Sequence, residues 1–214
     1  IHTIDTTDLR DPADRRLVIG NMPVCSSEHL DIAVEQAREA QKIWVKRSVD
    51  QRIMCIRNFI PLLEENLNHI VEVLKTEQGM LDTVVRREVQ ESVGQINHTC
   101  SVASDELASL HHSDESFRAV VRKVPFGVVG AIVPWNAPIS LATAKVIPAL
   151  LAGNAVIVKP SPKAPAGVTV FLGLLKDCLP PGLLSLLHGM DDLGEAMIKH
   201  RDIRKISFTG STAV

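Results

Sequence analysis

A short turn, Thr209-Gly210-Ser211-Thr212, follows an apolar run that ends at Phe208. Small residues in such a turn suit the chemistry of holding an anion. Where the turn opens a helix, its free amides and the positive helix end can cradle a phosphate. Three more polar segments follow apolar runs of strand length: Pro134-Trp135-Asn136-Ala137-Pro138, Lys159-Pro160-Ser161-Pro162 and His188-Gly189-Met190-Asp191. Neither the GxGxxG fingerprint nor a Walker-type phosphate loop occurs, so a phosphate site must be built another way. Taken alone, the Gly-containing turn is equally an ordinary strand-to-helix connection. Four thiols, Cys25, Cys55, Cys100 and Cys178, are spaced too widely for a CxxC pair or a zinc pattern. His98 with Cys100 offers too few ligands for a metal, and no metal site is expected. His111-His112 reads as solvated surface in a polar loop.

The elements that must position these loops are legible from periodicity. Residues 1–25 are polar, broken by Pro12, Gly20 and Pro23, and read as an arm with a short strand at 16–19. Residues 27–110 read as helical, with Leu30, Ala33, Val34, Ala37, Gln41 and Trp44 on one stripe. Ser48-Val49-Asp50-Gln51 has the form of a capping box. The helix it opens turns Ile53, Ile56, Phe59, Ile60 and Leu63 inward, and Pro61 should kink it or end its first segment. Leu67, Ile70, Val71 and Leu74 make a further stripe, with Gly79 as its stop. A longer amphipathic helix is expected over 81–110. The period then changes, and 117–124 with 128–133 read as a strand pair around Pro125-Phe126-Gly127.

From there buried strands alternate with helices. Strands are expected at 128–133, 155–158, 183–187 and 205–208, with helices at 139–151, 164–179 and 193–200 between them. Continuous apolar strands between amphipathic helices indicate a parallel sheet covered on both faces. Ligands of such a sheet sit beyond the carboxyl ends of the strands, where the four polar segments lie. Lys145 is the single charge within 139–151, so it is either buried and paired or reaches the site.

Bulk properties exclude several classes. The 214 residues suffice for one large domain or two small ones. A net charge of -2 gives no field for nucleic acid or an acidic membrane surface. With 3% aromatics and no Tyr, a base-stacking surface is not expected. No uninterrupted apolar run is long enough to span a bilayer, and no secretory signal is visible. So few cysteines at this length point to a reducing, cytoplasmic setting.

Pro134-Trp135-Asn136, Lys159-Pro160-Ser161, Leu179-Pro180-Pro181-Gly182 and Phe208-Thr209-Gly210-Ser211-Thr212, in this order and spacing, resemble signatures of the aldehyde dehydrogenase superfamily. The helical first half is also similar to the N-terminal region of that family. The resemblance implies an α/β fold: a Rossmann-like parallel sheet with helices on both faces, preceded by a helical N-terminal region and a strand pair. It implies a boundary, with 1–124 holding the arm, helical region and first strand of the pair, and 125–214 a partial dinucleotide-binding domain. It implies oxidation of an aldehyde to a carboxylic acid by a cysteine thiolate, with NAD or NADP accepting hydride and a glutamate activating water.

Residue by residue, Asn136 matches the oxyanion donor of the family, a role a neutral amide fills without changing charge state. Lys145 matches a lysine near that asparagine. Lys159 matches the lysine that holds the adenosine ribose. Val133, Pro134, Trp135 and Ser161 match positions flanking the cofactor. Phe208, Thr209, Gly210 and Ser211 match the pyrophosphate loop, with Val214 near the adenine. Gly189 and Gly194 match a second glycine-bearing loop only loosely, and Asp191 and Asp192 stand where relatives often carry small or neutral residues. Pro162 replaces the acid with which many relatives engage the ribose hydroxyls, which leaves NAD against NADP open.

The catalytic glutamate and cysteine of the family lie beyond the turn at Thr209, past Val214. The resemblance therefore implies that these 214 residues alone do not oxidise aldehydes. None of the four cysteines has a suitable context. The competing readings are a naturally shortened nucleotide-binding regulator and a structural remnant that pairs with a full-length partner. Strand pairs at this place in the family serve oligomer contacts, so a homo-oligomer is implied.

Overall fold

The structure, a computed structural model, describes residues 5–114 and 116–211. At its N-terminal end β1 (Thr6–Arg10) and β2 (Val18–Pro23) form an antiparallel pair with a bulge at Leu9 and Arg10. The strand expected at 16–19 thus starts later and has a partner. The Asp14 carboxylate takes both the amide and the guanidinium of Arg16, which ties 14–16 into the turn.

Five helices follow. In α1 (Ser27–Trp44) the expected stripe is buried, apart from Gln41, which instead donates to the Gly153 carbonyl at 2.9 Å. Trp44 Nε1 donates to the Leu150 carbonyl at 2.8 Å. The capping box opens α2 (Val49–Arg57): Ser48 Oγ accepts from the Gln51 amide, and Gln51 Oε1 from the Ser48 amide. That helix stops at Asn58, and Pro61 falls in the first turn of α3 (Phe59–Glu65), where its missing N–H costs little. The helix α4 (Leu67–Gln78) ends at Gly79, whose φ of 66° is the left-handed conformation such a stop requires.

The next helix, α5 (Asp82–Leu107), is shorter than its pattern suggests, because Leu110 opens a strand. Here the expected strand pair is overturned. Strand β3 (Leu110–Ser113) pairs antiparallel with β4 (Arg118–Val121), and β5 (Val128–Ile132) pairs with neither. His111 and His112 lie in that strand rather than in a loop, and the His112 ring packs 5.3 Å from Phe117. Both edges of β5 are occupied within a larger sheet, and Pro125, which has no amide, interrupts the chain between β4 and β5.

That larger sheet is parallel throughout. Its order is β7 (Leu184–Leu186), β6 (Ala155–Lys159), β5, β8 (Ile203–Phe208). Every residue of β6 is buried, as an apolar run covered on both faces must be. The helices α6 (Pro138–Leu151) and α7 (Pro165–Asp177) pack together on one face; α1 and α8 (Asp191–Lys199) pack side by side on the other. The chain runs outward from β5 to β6 and β7, then returns to β8 beyond β5. The strand order reverses there, which opens a crevice at the carboxyl ends of β5 and β8. Among the described residues, no helix is long and apolar enough to cross a membrane.

Candidate functional site

Two helices that start at this end of the sheet have their positive termini already occupied. Each begins Ala-Pro, so neither its N-cap side chain nor its first residue can help: Ala has no acceptor and Pro no N–H. For α6 the acceptor is remote, since Glu88 Oε1 takes the amides of Ile139 and Ser140 at 2.8 and 3.1 Å. For α7 it is Glu77, whose carboxylate takes the amides of Ala166 and Gly167 at 2.5 and 3.0 Å. Both glutamates are buried. Desolvation pushes their pKa values up, and the amide bonds pull them part of the way back. With these amides satisfied, neither helix end is free for a ligand anion.

Beyond β6 stands Lys159, whose side chain is 5% exposed. Its carbonyl accepts from the Val133 amide at 3.1 Å and holds the loop after β5 beside it. No hydrogen bond or ion pair with a described residue engages its ammonium. Burial pulls its pKa down, while Asp191 and then Asp192 oppose that shift. Gly194 lies against its stem: a Cβ there would stand 3.8 Å from Lys159 Cδ and Cε. His188 is buried nearby, with Nε2 3.2 Å from Thr169 Oγ1. Burial and then the Lys159 charge pull the pKa of this imidazole down, and its buried Nδ1 has no hydrogen-bond partner among the described residues. Gly189 is packed tightly, with a Cβ position 2.7 Å from Leu193 Cδ2.

A groove of about 430 Å³ lies in front of the loops after β5 and β6, closed on its far side by the β1–β2 pair. Trp135, Asn136, Pro162, Lys163, Gln78 and Arg15 line it. Trp135 is half exposed; its carbonyl accepts from Gln78 Nε2 at 2.6 Å and Lys163 Nζ sits 5.8 Å from its ring centroid. Pro134 precedes it at the carboxyl end of β5. Asn136 is exposed, and no hydrogen bond within the described residues holds its amide group. Ser161 Oγ accepts from the Lys163 amide at 3.2 Å and shapes the turn.

On the other side of β5, Phe208 ends β8 and folds over Gly210, where a Cβ would come within 2.3 Å of the ring. A side chain at 210 would have to displace the Phe208 ring. Lys145 lies two turns into α6 and faces this loop rather than Asn136; its Nζ donates to Thr209 Oγ1 at 2.7 Å. Ser211 follows, exposed. Thr212 and Val214, and any helix the turn opens, lie outside the described residues.

Sequence reasoning missed Glu77, Glu88, Gln78, Lys163 and Arg15. Glu77 and Glu88 carried a signal, because each falls on the apolar stripe of its helix, three residues from Leu74 and Val85. The four cysteines are free, and none lies in the loops beyond the parallel strands. Burial raises the thiols of Cys25, Cys100 and Cys178.

Comparison with known proteins agrees with this geometry. A model of the aldehyde dehydrogenase family matches residues 2–214. Aldehyde dehydrogenase LUC3 of a Fusarium species is 34% identical over 198 residues, covering 92% of this chain and 41% of that protein. Acetaldehyde dehydrogenase of Pseudomonas aeruginosa is 32% identical over 198 residues, covering 92% and 39%. The NADP-dependent glyceraldehyde-3-phosphate dehydrogenase of Bacillus halodurans, solved with NADP, superposes with a TM-score of 0.92 at 30% identity, covering 98% of this chain and 46% of that one. An NAD-dependent benzaldehyde dehydrogenase of Corynebacterium glutamicum superposes at 0.91 with 28% identity, covering 99% and 47%. The chain thus spans about two fifths of the length of these curated relatives.

Proposed function

The chain belongs to the aldehyde dehydrogenase family, and from that premise we propose that it is part of an NAD(P)-dependent enzyme that oxidises an aldehyde to a carboxylic acid. Residues 125–214 supply the dinucleotide cradle and an oxyanion donor in this reading. When bound, the nicotinamide supplies the hydride acceptor.

The single observation that carries the cofactor assignment is Lys159. Its side chain is buried and no described residue hydrogen-bonds its ammonium, an arrangement that a polar ligand at that tip would complete. At the end of β6 it stands where it can donate to ribose hydroxyls. The family resemblance assigns the pyrophosphate to the loop of Thr209, Gly210 and Ser211, and the occupied ends of α6 and α7 (Glu88 and Glu77) and the two aspartates that open α8 support that reading. Val133, Pro134, Trp135, Ser161, Pro162, Gly189 and Gly194 flank the cofactor in this reading, with Gly194 set against the Lys159 stem and Phe208 backing the loop.

Asn136 is the donor for the oxyanion that develops when a thiolate adds to the aldehyde. No described residue engages its amide, and the adjacent helix amides cannot serve because Glu88 holds them. Lys145 acts through Thr209, as a positioning residue for the loop. Turnover also needs a thiolate at the substrate, and none of the four cysteines lies in the loops beyond the parallel strands. We therefore assign these 214 residues binding without turnover. The free thiols suit a reducing cytoplasm, and the exposed apolar side chains of Leu110, Val120 and Val121 suit assembly into a homo-oligomer.

Calorimetric titration of the chain with NAD and NADP tests the reading. Saturable binding that Lys159→Met abolishes, with no reduced nicotinamide formed from added aldehydes, is the expected result. Absence of binding, or turnover that a cysteine substitution removes, overturns it.

A further inference from the structure

The loop after β6 carries Pro162, so no carboxylate there can accept from a ribose hydroxyl. A carboxylate is nonetheless available from another element. The helix α8 starts at Asp191 beyond the carboxyl end of β7, the strand beside β6. Its first turn crosses the stem of Lys159 at Gly194, so Lys159 and the two aspartates share one corner of the site. The aspartates differ in their commitments. Asp192 Oδ1 accepts from the Leu193 amide at 2.8 Å. Asp191 is exposed, and no hydrogen bond or ion pair with a described residue engages it.

We propose that Asp191 reads the adenosine ribose opposite Lys159, accepting a hydrogen bond from its hydroxyls and excluding a phosphate on them, so that the site selects NAD over NADP. The inference rests on the dinucleotide reading above. Lys159 donates from one side and Asp191 accepts from the other, which is the pairing that two vicinal hydroxyls require. A 2′-phosphate would meet two carboxylates against one ammonium, and an anion forced beside uncompensated carboxylates is rejected. Acids in a first turn also favour a helix end by opposing its dipole. Asp192 already provides that, and the dipole alone gives no reason for a second acid in the turn that crosses the Lys159 stem. The electrostatics agree, since Asp191 exerts the larger effect on Lys159.

The test is titration of the chain with NAD and with NADP, by calorimetry, for the unsubstituted protein, Asp191→Asn, and Asp191→Asn combined with Pro162→Glu. We expect NAD to bind about tenfold more tightly than NADP, and Asp191→Asn to remove most of that ratio. Pro162→Glu, which returns an acid to the loop after β6, restores it. A ratio unmoved by Asp191→Asn, or a preference for NADP in the unsubstituted chain, overturns the inference and leaves the dinucleotide reading standing. If neither dinucleotide binds to a chain that melts cooperatively, the dinucleotide reading fails and the inference falls with it. If Asp191 served only to stabilise the helix, Asp191→Asn would lower the melting temperature and weaken both ligands equally, which also overturns the proposal.

Discussion

Lys145 Nζ donates to Thr209 Oγ1 at 2.7 Å, and this bond joins α6 to the loop after β8 across the crevice where the strand order reverses. Burial alone pulls the Lys145 pKa down, so no described carboxylate compensates its charge. The hydroxyl of Thr209 is what its ammonium has.

Breaking that bond from either side should loosen the pyrophosphate loop more than the fold. Lys145 is only half buried, so we expect Thr209→Val to cost about 1 kcal/mol of stability. Lys145→Met should add little once Thr209 is already Val. A double-mutant cycle read by urea unfolding checks the coupling, and dinucleotide affinity should fall for all three variants. Additive costs would show that the bond contributes nothing.

The remote carboxylate caps give a second prediction. Glu88→Ala leaves the amides of Ile139 and Ser140 without an acceptor, at a cost of about 1–3 kcal/mol. Glu88→Gln keeps an acceptor oxygen and drops the buried charge, so it should be close to neutral at pH 7. Thermal unfolding of both variants separates hydrogen bonding from charge. Equal destabilisation by Gln and Ala would mean that the charge itself matters.

The same two glutamates set a pH dependence. Their folded pKa values lie above the ordinary glutamate value of 4.5, so the folded state binds their protons more tightly than the unfolded state does. That contribution is fully present below 4.5 and is lost as pH rises through the folded values. His188 acts in the opposite sense. Its folded pKa is lowered from 6.5, so its contribution is present above 6.5 and lost as pH falls. Relative to the unsubstituted chain, Glu77→Gln with Glu88→Gln should gain stability as pH rises from acidic to neutral. Urea midpoints across that range check this; parallel curves would refute it.

These caps also show why part of the site was hidden in the sequence. The parallel strands were legible because four apolar runs bounded by polar loops admit few other readings. Ser48 and Gln51 were legible because their partnership closes within one turn. Glu88 reaches a helix 51 residues on, and Glu77 one 89 residues on. Periodicity places each acid on an apolar stripe without naming what it meets there. The partner of β4 was missed for a related reason. Leu110-His111-His112-Ser113 has no alternation, and the edges of β5 were taken by strands far along the chain. Asn136, Lys159 and Gly210 were found through family resemblance, since a lone polar residue after a strand has no local mark of its role.

Lys159 leads to the last prediction, in which stability and binding move in opposite directions. Its side chain is buried with no hydrogen bond to a described residue, and its charged form is disfavoured by burial, with Asp191 and Asp192 offsetting only part of that cost. Met fills a similar volume with no charge to desolvate and packs as well against Gly194. Lys159→Met should therefore raise stability by about 1 kcal/mol while abolishing dinucleotide binding. Lys159→Arg keeps the charge but replaces a compact ammonium with a planar fork that needs different partners, so it should weaken binding without the stability gain. Unfolding midpoints and calorimetric titrations of the two variants check this together. A destabilised Lys159→Met would mean that the aspartates already stabilise the ammonium fully, and that the site is complete without a ligand.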